Sequence, residues 1–373
     1  MNSEAGAEPE GFAPAFAVWS LADQGQRAAA LRTGLAALRR RPRDRLLLGL
    51  LARLGDPAVL RQALADADPE ARYLSEPLPS GASPGLRAKL ATWLLDLGRP
   101  ADALSFCEPL PHPALSMASA RVLRALGRLG ESAAAYRRVL AMAPAQSEAQ
   151  RLASSLAGEA PGLASGDGLA AVPFLRLRSP LRCDEHDALR ERLLALLPSF
   201  RAATVHAVAD APDSLDAARS ARVLLRLPPE VSPLRAWLEK EQQRLLSALL
   251  PNPPAVGGIE LQATLSGDGD RYGAHRDSGD RSTAARSLTL VYYMHRRPRR
   301  FGGGALRIFD SDLATGHWLG GGYTRIEPED GTLLLFPAAA THEIEPVTAC
   351  ADPQDGRLTV NGWFRAAEAG PTH

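Results

Sequence analysis

A chain of 373 residues is long enough for two domains, and 43 basic against 42 acidic side chains leave a net charge of only +1, so nothing drives it toward nucleic acid or an anionic membrane surface. Its three scattered cysteines, Cys107, Cys183 and Cys350, form neither a disulfide framework nor a zinc-ligand pattern, which points to a reducing cytoplasm. The acidic start has no apolar signal segment and no apolar run approaches the roughly 20 residues of a spanning helix, so neither leader nor membrane span is expected.

Taken in chain order, residues 1–16 read as a flexible N-terminus. Residues 17–157 are rich in Ala, Leu and Arg and poor in β-branched residues, which favours helix. Two stretches share a spacing. Gly25 is followed by Ala30, Ala37 and Pro42, and Gly127 by Ser132, Val139 and Pro144, at offsets of 5, 12 and 17 in both. Looser copies surround Gly55 and Gly98. The region resembles degenerate tetratricopeptide hairpins, with small residues where helices approach and a proline closing each unit; a plain Ala-rich bundle is the alternative. Residues 158–173 (GEAPGLASGDGLAAVP) read as a linker. Residues 174–373 form the second domain. In it, residues 174–177, 259–265, 332–337 and 357–364 read as strands, and 184–197 and 233–250 as amphipathic helices. Residues 207–220, 271–286 and 295–301 are expected at the rim of a site. The basic run His295–Arg300 reads as a solvated hairpin tip, with contact to an acidic substrate as the alternative.

The strand-rich half carries the chemistry. His275 and Asp277 stand in RYGAHRDSGD, His342 in FPAAATHEIEPV, and Arg357 in GRLTVNGWF. Two imidazoles and one carboxylate on one face of a metal, with the remaining positions open, is the donor set of non-haem Fe(II) oxygenases. A guanidinium such as Arg357 pairs with carboxylate bidentately and stays charged, so it suits the far end of a keto-acid co-substrate. An H-x-D tripeptide alone is weak; its force comes from strand-end placement together with His342 and Arg357. Of the other histidines, His295 and His317 read as loop residues, and His112, His186, His206 and His373 lack partners at ligand spacing.

From about Ile259 to Arg365 the chain resembles the Fe(II)/2-oxoglutarate dioxygenases of the prolyl-4-hydroxylase-like group. The matching pieces run in family order: Tyr272-x-x-His275-x-Asp277, RSLTLVYYM, FGGGALRIF, RIEPEDGTLLLFPA, HEIEPV and RLTVNGWF. The resemblance implies a double-stranded β-helix (jelly-roll) oxygenase domain; with the α-helical, tetratricopeptide-like region read before it, the chain is expected to be an α+β multidomain protein. It implies that His275, Asp277 and His342 ligate Fe(II), that Arg357 binds the distal carboxylate of 2-oxoglutarate with support from Tyr293, and that Tyr272 lines the iron site. Beyond the metal centre no catalytic side chain is expected. O2 is the co-substrate and ascorbate a candidate reductant. Leu265 stands where relatives carry a co-substrate tyrosine, so Gln262 or Thr264 is expected to substitute. The carboxylate at Asp277 argues against the halogenase variant of this fold.

The implied activity is hydroxylation of an unactivated C–H bond. The substrate is either a peptidyl, prolyl-type residue recruited by the helical repeats, which would also offer a surface to a protein partner, or a small or carrier-bound metabolite. A non-catalytic repeat and jelly-roll interaction protein is the reading of another class.

Overall fold

The computed structural model describes residues 13–107, 110–159, 171–203, 220–279, 283–311 and 318–367. Residues 207–219, most of the predicted linker, and His206, His317 and His373 lie outside them.

The Ala/Leu-rich part is helical, with α1 (Ala13–Asp23), α2 (Arg27–Arg40), α3 (Arg45–Leu54), α4 (Pro57–Ala67), α5 (Pro84–Asp96), α6 (Pro100–Ala103), α7 (Pro113–Ala125), α8 (Leu129–Met142) and α9 (Ser147–Ala157). The starts are chemically marked. Asp44 caps α3 through Leu47 N–H, Asp56 caps α4 and Ser83 caps α5, the last two with proline at the first helical position. Gly25 and Gly127, the origins of the shared spacing, sit in the left-handed region at the turns into α2 and α8, with φ of 73° and 75°. The positions 5 and 12 residues on, Ala30, Ala37, Ser132 and Val139, are all buried.

The chain divides into two compact units. One runs to Val122 and takes in Leu319–Gly322; the other comprises Leu123–Trp318 and the chain from Tyr323. Thus α8 and α9, which their composition groups with the repeats, fall in the same unit as the sheets. Arg124, at the end of α7, anchors this arrangement. It is fully buried and donates bidentately to Asp310 at 2.7 and 2.8 Å.

The second unit continues with β1 (Leu175–Arg178), α10 (Cys183–Ala195), β2 (Arg201–Ala202), β3 (Arg222–Leu224), α11 (Ser232–Leu249), β4 (Val256–Ser266), β5 (Tyr272–His275), β6 (Arg286–Met294), β7 (Gly302–Gly303), β8 (Leu306–Ser311), β9 (Trp318–Ile326), β10 (Thr332–Pro337), β11 (His342–Ile344), β12 (Val347–Thr348) and β13 (Arg357–Ala366). A seven-stranded sheet has the order β1-β10-β6-β13-β4-β3-β2, and a four-stranded sheet the order β5-β11-β8-β9. A short β12–β7 pair accompanies them.

Successive residues of a strand point to opposite faces. On the large sheet, Leu288, Leu290, Tyr292 and Met294 of β6, with Leu358, Val360 and Phe364 of β13, share one apolar core with Leu189 and Leu193 of α10 and Leu238 and Leu245 of α11. The two amphipathic helices thus brace one face. Leu333 and Leu335 of β10 belong to the same helix-side core, whereas Leu306 of β8 lines a cavity on the other side. The alternate residues look the other way, toward the small sheet.

Candidate metal centre and co-substrate pocket

Pairing of β11 with β5 sets His342 directly opposite His275. Asp277 lies just past the end of β5, its N–H donating to Ala338 O at 3.0 Å. One ligand atom from each of the three residues falls within 4.8 Å of the other two. Nε2 of His275 is 3.7 Å from one Asp277 oxygen, and Nε2 of His342 is 3.4 Å from the other.

Both rings are oriented by their own backbone. Nδ1 of His275 lies 2.8 Å from Gly273 O, and Nδ1 of His342 lies 3.0 Å from Ala340 O. A carbonyl only accepts, so Nδ1 carries the proton and Nε2 presents its lone pair to the shared point. Tyr272 stacks on His275 with centroids 3.5 Å apart, and Phe336 meets His342 edge-on. The Thr289 hydroxyl donates to Asp277 at 2.7 Å. Burial alone would raise the Asp277 carboxyl, but the His342 and His275 rings and the Thr289 hydroxyl outweigh it and hold the group below its ordinary range. A divalent cation fits this donor set.

Arg357 opens β13 and is 1 % exposed. Its Nε donates to Gly304 O at 2.9 Å, while Nη1 and Nη2 are buried without hydrogen-bond partners among the described residues. The guanidinium carbon lies 5.1 Å from the Tyr293 ring centroid, and the Tyr293 hydroxyl is likewise buried and unpartnered. Burial pushes the guanidinium pKa down and the phenol up. Buried polar groups are normally satisfied, so two free N–H arms and a free hydroxyl mark the place of an acceptor ligand. Gly304 makes room for this arm. At φ +67° a Cβ there would lie 2.9 Å from Arg357 Cδ.

Metal group and arginine open onto one cavity of about 360 Å³. Its floor is the alternate face of the large sheet: Gln262 and Thr264 of β4, Thr289 and Val291 of β6, and Asn361 and Trp363 of β13. Leu265 points to the helix-side core instead, while Gln262 and Thr264 both reach the cavity. Thr289, Asn361, Trp363 and Gly304 were not singled out from sequence. The signal was available in part, since counting by two from Arg357 along RLTVNGWF leads to Asn361 and Trp363.

The remaining candidates have structural partners. His186 is buried, its Nδ1 2.6 Å from the Tyr292 hydroxyl and its Nε2 3.1 Å from Asp330. The basic run is paired within the chain: Arg296 and Arg300 with Asp355, Arg297 with Asp330, and Arg299 with Glu327.

Residues 261–365 match the family model of the 2OG-Fe(II) oxygenase superfamily. Over 138 residues it is 35% identical to an uncharacterized PKHD-type hydroxylase of Synechocystis, covering 35% of this chain and 44% of that protein. The chain thus spans less than half the length of that curated relative. Among solved structures, a Pseudomonas putida prolyl-4-hydroxylase is similar at 20% identity and a TM-score of 0.40, over 54% of this chain and 96% of that one. A Trichoplax adhaerens prolyl hydroxylase, solved with a hypoxia inducible factor peptide fragment, is similar at 18% identity and a TM-score of 0.40, over 52% and 83%. The superfamily uses Fe(II), 2-oxoglutarate and O2, and His275, Asp277 and His342 are the donor set such an iron takes. No helix among the described residues is long and apolar enough to cross a membrane.

Proposed function

We propose that this protein is an Fe(II)- and 2-oxoglutarate-dependent hydroxylase of an unactivated C–H bond in a peptidyl, prolyl-type residue. The observation that carries the reading is one cavity holding two Nε2 lone pairs, a carboxylate, and the unpartnered arms of a buried arginine. His275, Asp277 and His342 hold the iron. Arg357 takes the distal carboxylate of 2-oxoglutarate beside Tyr293, and Tyr272 closes the wall behind His275. The bound iron and co-substrate supply the oxidation: substrate, 2-oxoglutarate and O2 become alcohol, succinate and CO2.

The chain's own part is orientation and exclusion of water. The Gly273 and Ala340 carbonyls lock both imidazole tautomers, Thr289 holds Asp277, and the Gly304 carbonyl points Arg357 inward. No side chain has to move a proton. The two sheets are read as the double-stranded β-helix of residues 174–373, and residues 17–157 as tetratricopeptide-like hairpins that recruit the substrate or a partner. Ascorbate keeping iron ferrous and a cytoplasmic location belong to the same reading.

The test is succinate release by anaerobically iron-loaded protein given 2-oxoglutarate and O2, beside Asp277→Ala. Slow succinate formation absent from the variant supports the reading and opens a substrate screen, in which turnover of a metabolite alone would replace the peptidyl assignment. Protein that binds no iron would move the chain to the non-catalytic class.

A further inference from the structure

We propose that Trp363 is a positioning residue for the metal ligand Asp277, its indole N–H serving as a second donor to the carboxylate beside the Thr289 hydroxyl. The inference rests on the metal-centre reading and gives a role to a cavity residue outside the donor set.

The three ligands are not supported alike. His275 and His342 stand on paired strands, and a carbonyl of its own segment turns each ring. Asp277 lies beyond the last residue of β5, and its carboxylate is steadied from the floor of the cavity. Thr289 of β6 donates to it at 2.7 Å. Trp363 of β13 stands directly opposite Thr289 in the antiparallel register. Opposite residues share a sheet face and carry their Cβ atoms about 4.5–5.5 Å apart. Strand pairing therefore brings a hydroxyl and an indole N–H to one place beneath one carboxylate.

Two further observations converge on the same bond. Nε1 of Trp363 is buried and has no hydrogen-bond partner among the described residues, whereas buried donors are normally satisfied. Burial would raise the Asp277 carboxyl, and the Trp363 N–H joins His342, His275 and Thr289 in favouring the charged form.

The ring is also held for this task. The Arg286 guanidinium carbon lies 3.7 Å from its centroid, and Glu260 accepts from Arg286 Nη2 at 2.7 Å and Nε at 3.1 Å. A clamped ring has little freedom to turn its N–H away. Phenylalanine would serve the clamp equally well; the N–H is what tryptophan adds. A carboxylate oriented in advance needs less ordering when a metal arrives.

The test loads the full chain with Co(II) in place of Fe(II) and measures affinity by competition with a chelating dye. Wild type is compared with Trp363→Phe and with protein carrying benzothienylalanine at position 363, an isostere with sulfur in place of the N–H. Co(II) affinity is expected to fall roughly tenfold or more in both, the usual cost of losing a partner that orients a metal ligand. The d–d absorption of the bound ion should change with it, while the melting temperature of the metal-free isostere protein stays the same. Wild-type affinity in the isostere protein overturns the assignment. So does a loss with the absorption unchanged, which would show the carboxylate seated as before, or one matched by a fall in metal-free melting temperature, which would make the N–H a packing group. If wild-type protein binds no Co(II), the metal-centre reading itself fails and takes this inference with it.

Discussion

The two faces of the seven-stranded sheet are made by the same strands and differ in almost every chemical respect. Along β13, Leu358, Val360 and Phe364 pack under α10 and α11, while Arg357, Asn361 and Trp363 line the cavity. Along β6, Leu288, Leu290 and Tyr292 go to the core, and Thr289 and Val291 to the site. One face is apolar; the other keeps buried N–H and hydroxyl groups without partners among the described residues. Stability and chemistry are therefore separable residue by residue, because strand geometry sends neighbours to opposite sides.

Substitutions on the two faces should then give different phenotypes. The largest effect is expected at the metal. His342→Ala should reduce iron stoichiometry, measured by metal analysis, to near zero and abolish succinate formation, with circular dichroism still showing a folded protein. Turnover by iron-free His342→Ala protein would sink the ligand assignment. On the other face, Leu290→Ala should cost about 2–5 kcal/mol in denaturant unfolding, through lost burial and the cavity it leaves. The KM for 2-oxoglutarate should not move in the protein that remains folded.

Arg357→Ala should raise that KM roughly hundredfold, within the range of about 2–5 kcal/mol for truncating one partner of a buried charge pair, while iron stays bound. Loss of iron in this variant would merge two roles that the geometry keeps apart. Thr289→Val preserves shape and removes the hydroxyl from Asp277. Iron affinity should fall roughly 10- to 100-fold, the usual cost of losing a partner that orients a metal ligand, with little change in melting temperature.

The smallest effect belongs to pH and the helix-braced face. Burial would raise the Asp330 carboxyl, but His186, the His295 N–H and Arg297 donate to it and hold it well below the ordinary range. A carboxyl depressed in the fold contributes stability above its unfolded value, about 3.9, and loses that contribution as pH falls through the folded value. Asp330→Asn should therefore unfold more readily near neutrality and show a shallower decline in stability below about pH 4. Equal acid slopes in both proteins would remove Asp330 from the linkage.

Much of the site was legible because its parts are short, local motifs. The H-x-D tripeptide, the strand-end histidine and the arginine opening β13 each carry their chemistry in residue type. Their partners were less visible. Thr289 is an ordinary strand threonine until β6 lies beside the end of β5, and Gly304 is one of three consecutive glycines until Arg357 passes over it. The basic run at 295–300 looked like a free surface, and its acidic partners come from residues 327, 330 and 355.

By itself the amino-acid sequence determined which half is helical and which is strand-rich, and which side chains could hold a metal and a keto acid. Periodicity and ionisation are properties of the local chain. Only the tertiary structure decided which alternate residues of β4, β6 and β13 became site and which became core, and that α8 and α9 join the sheet unit. Those outcomes depend on strand pairing and on the buried Arg124–Asp310 bond, whose partners lie far apart in sequence and meet only when the chain has folded.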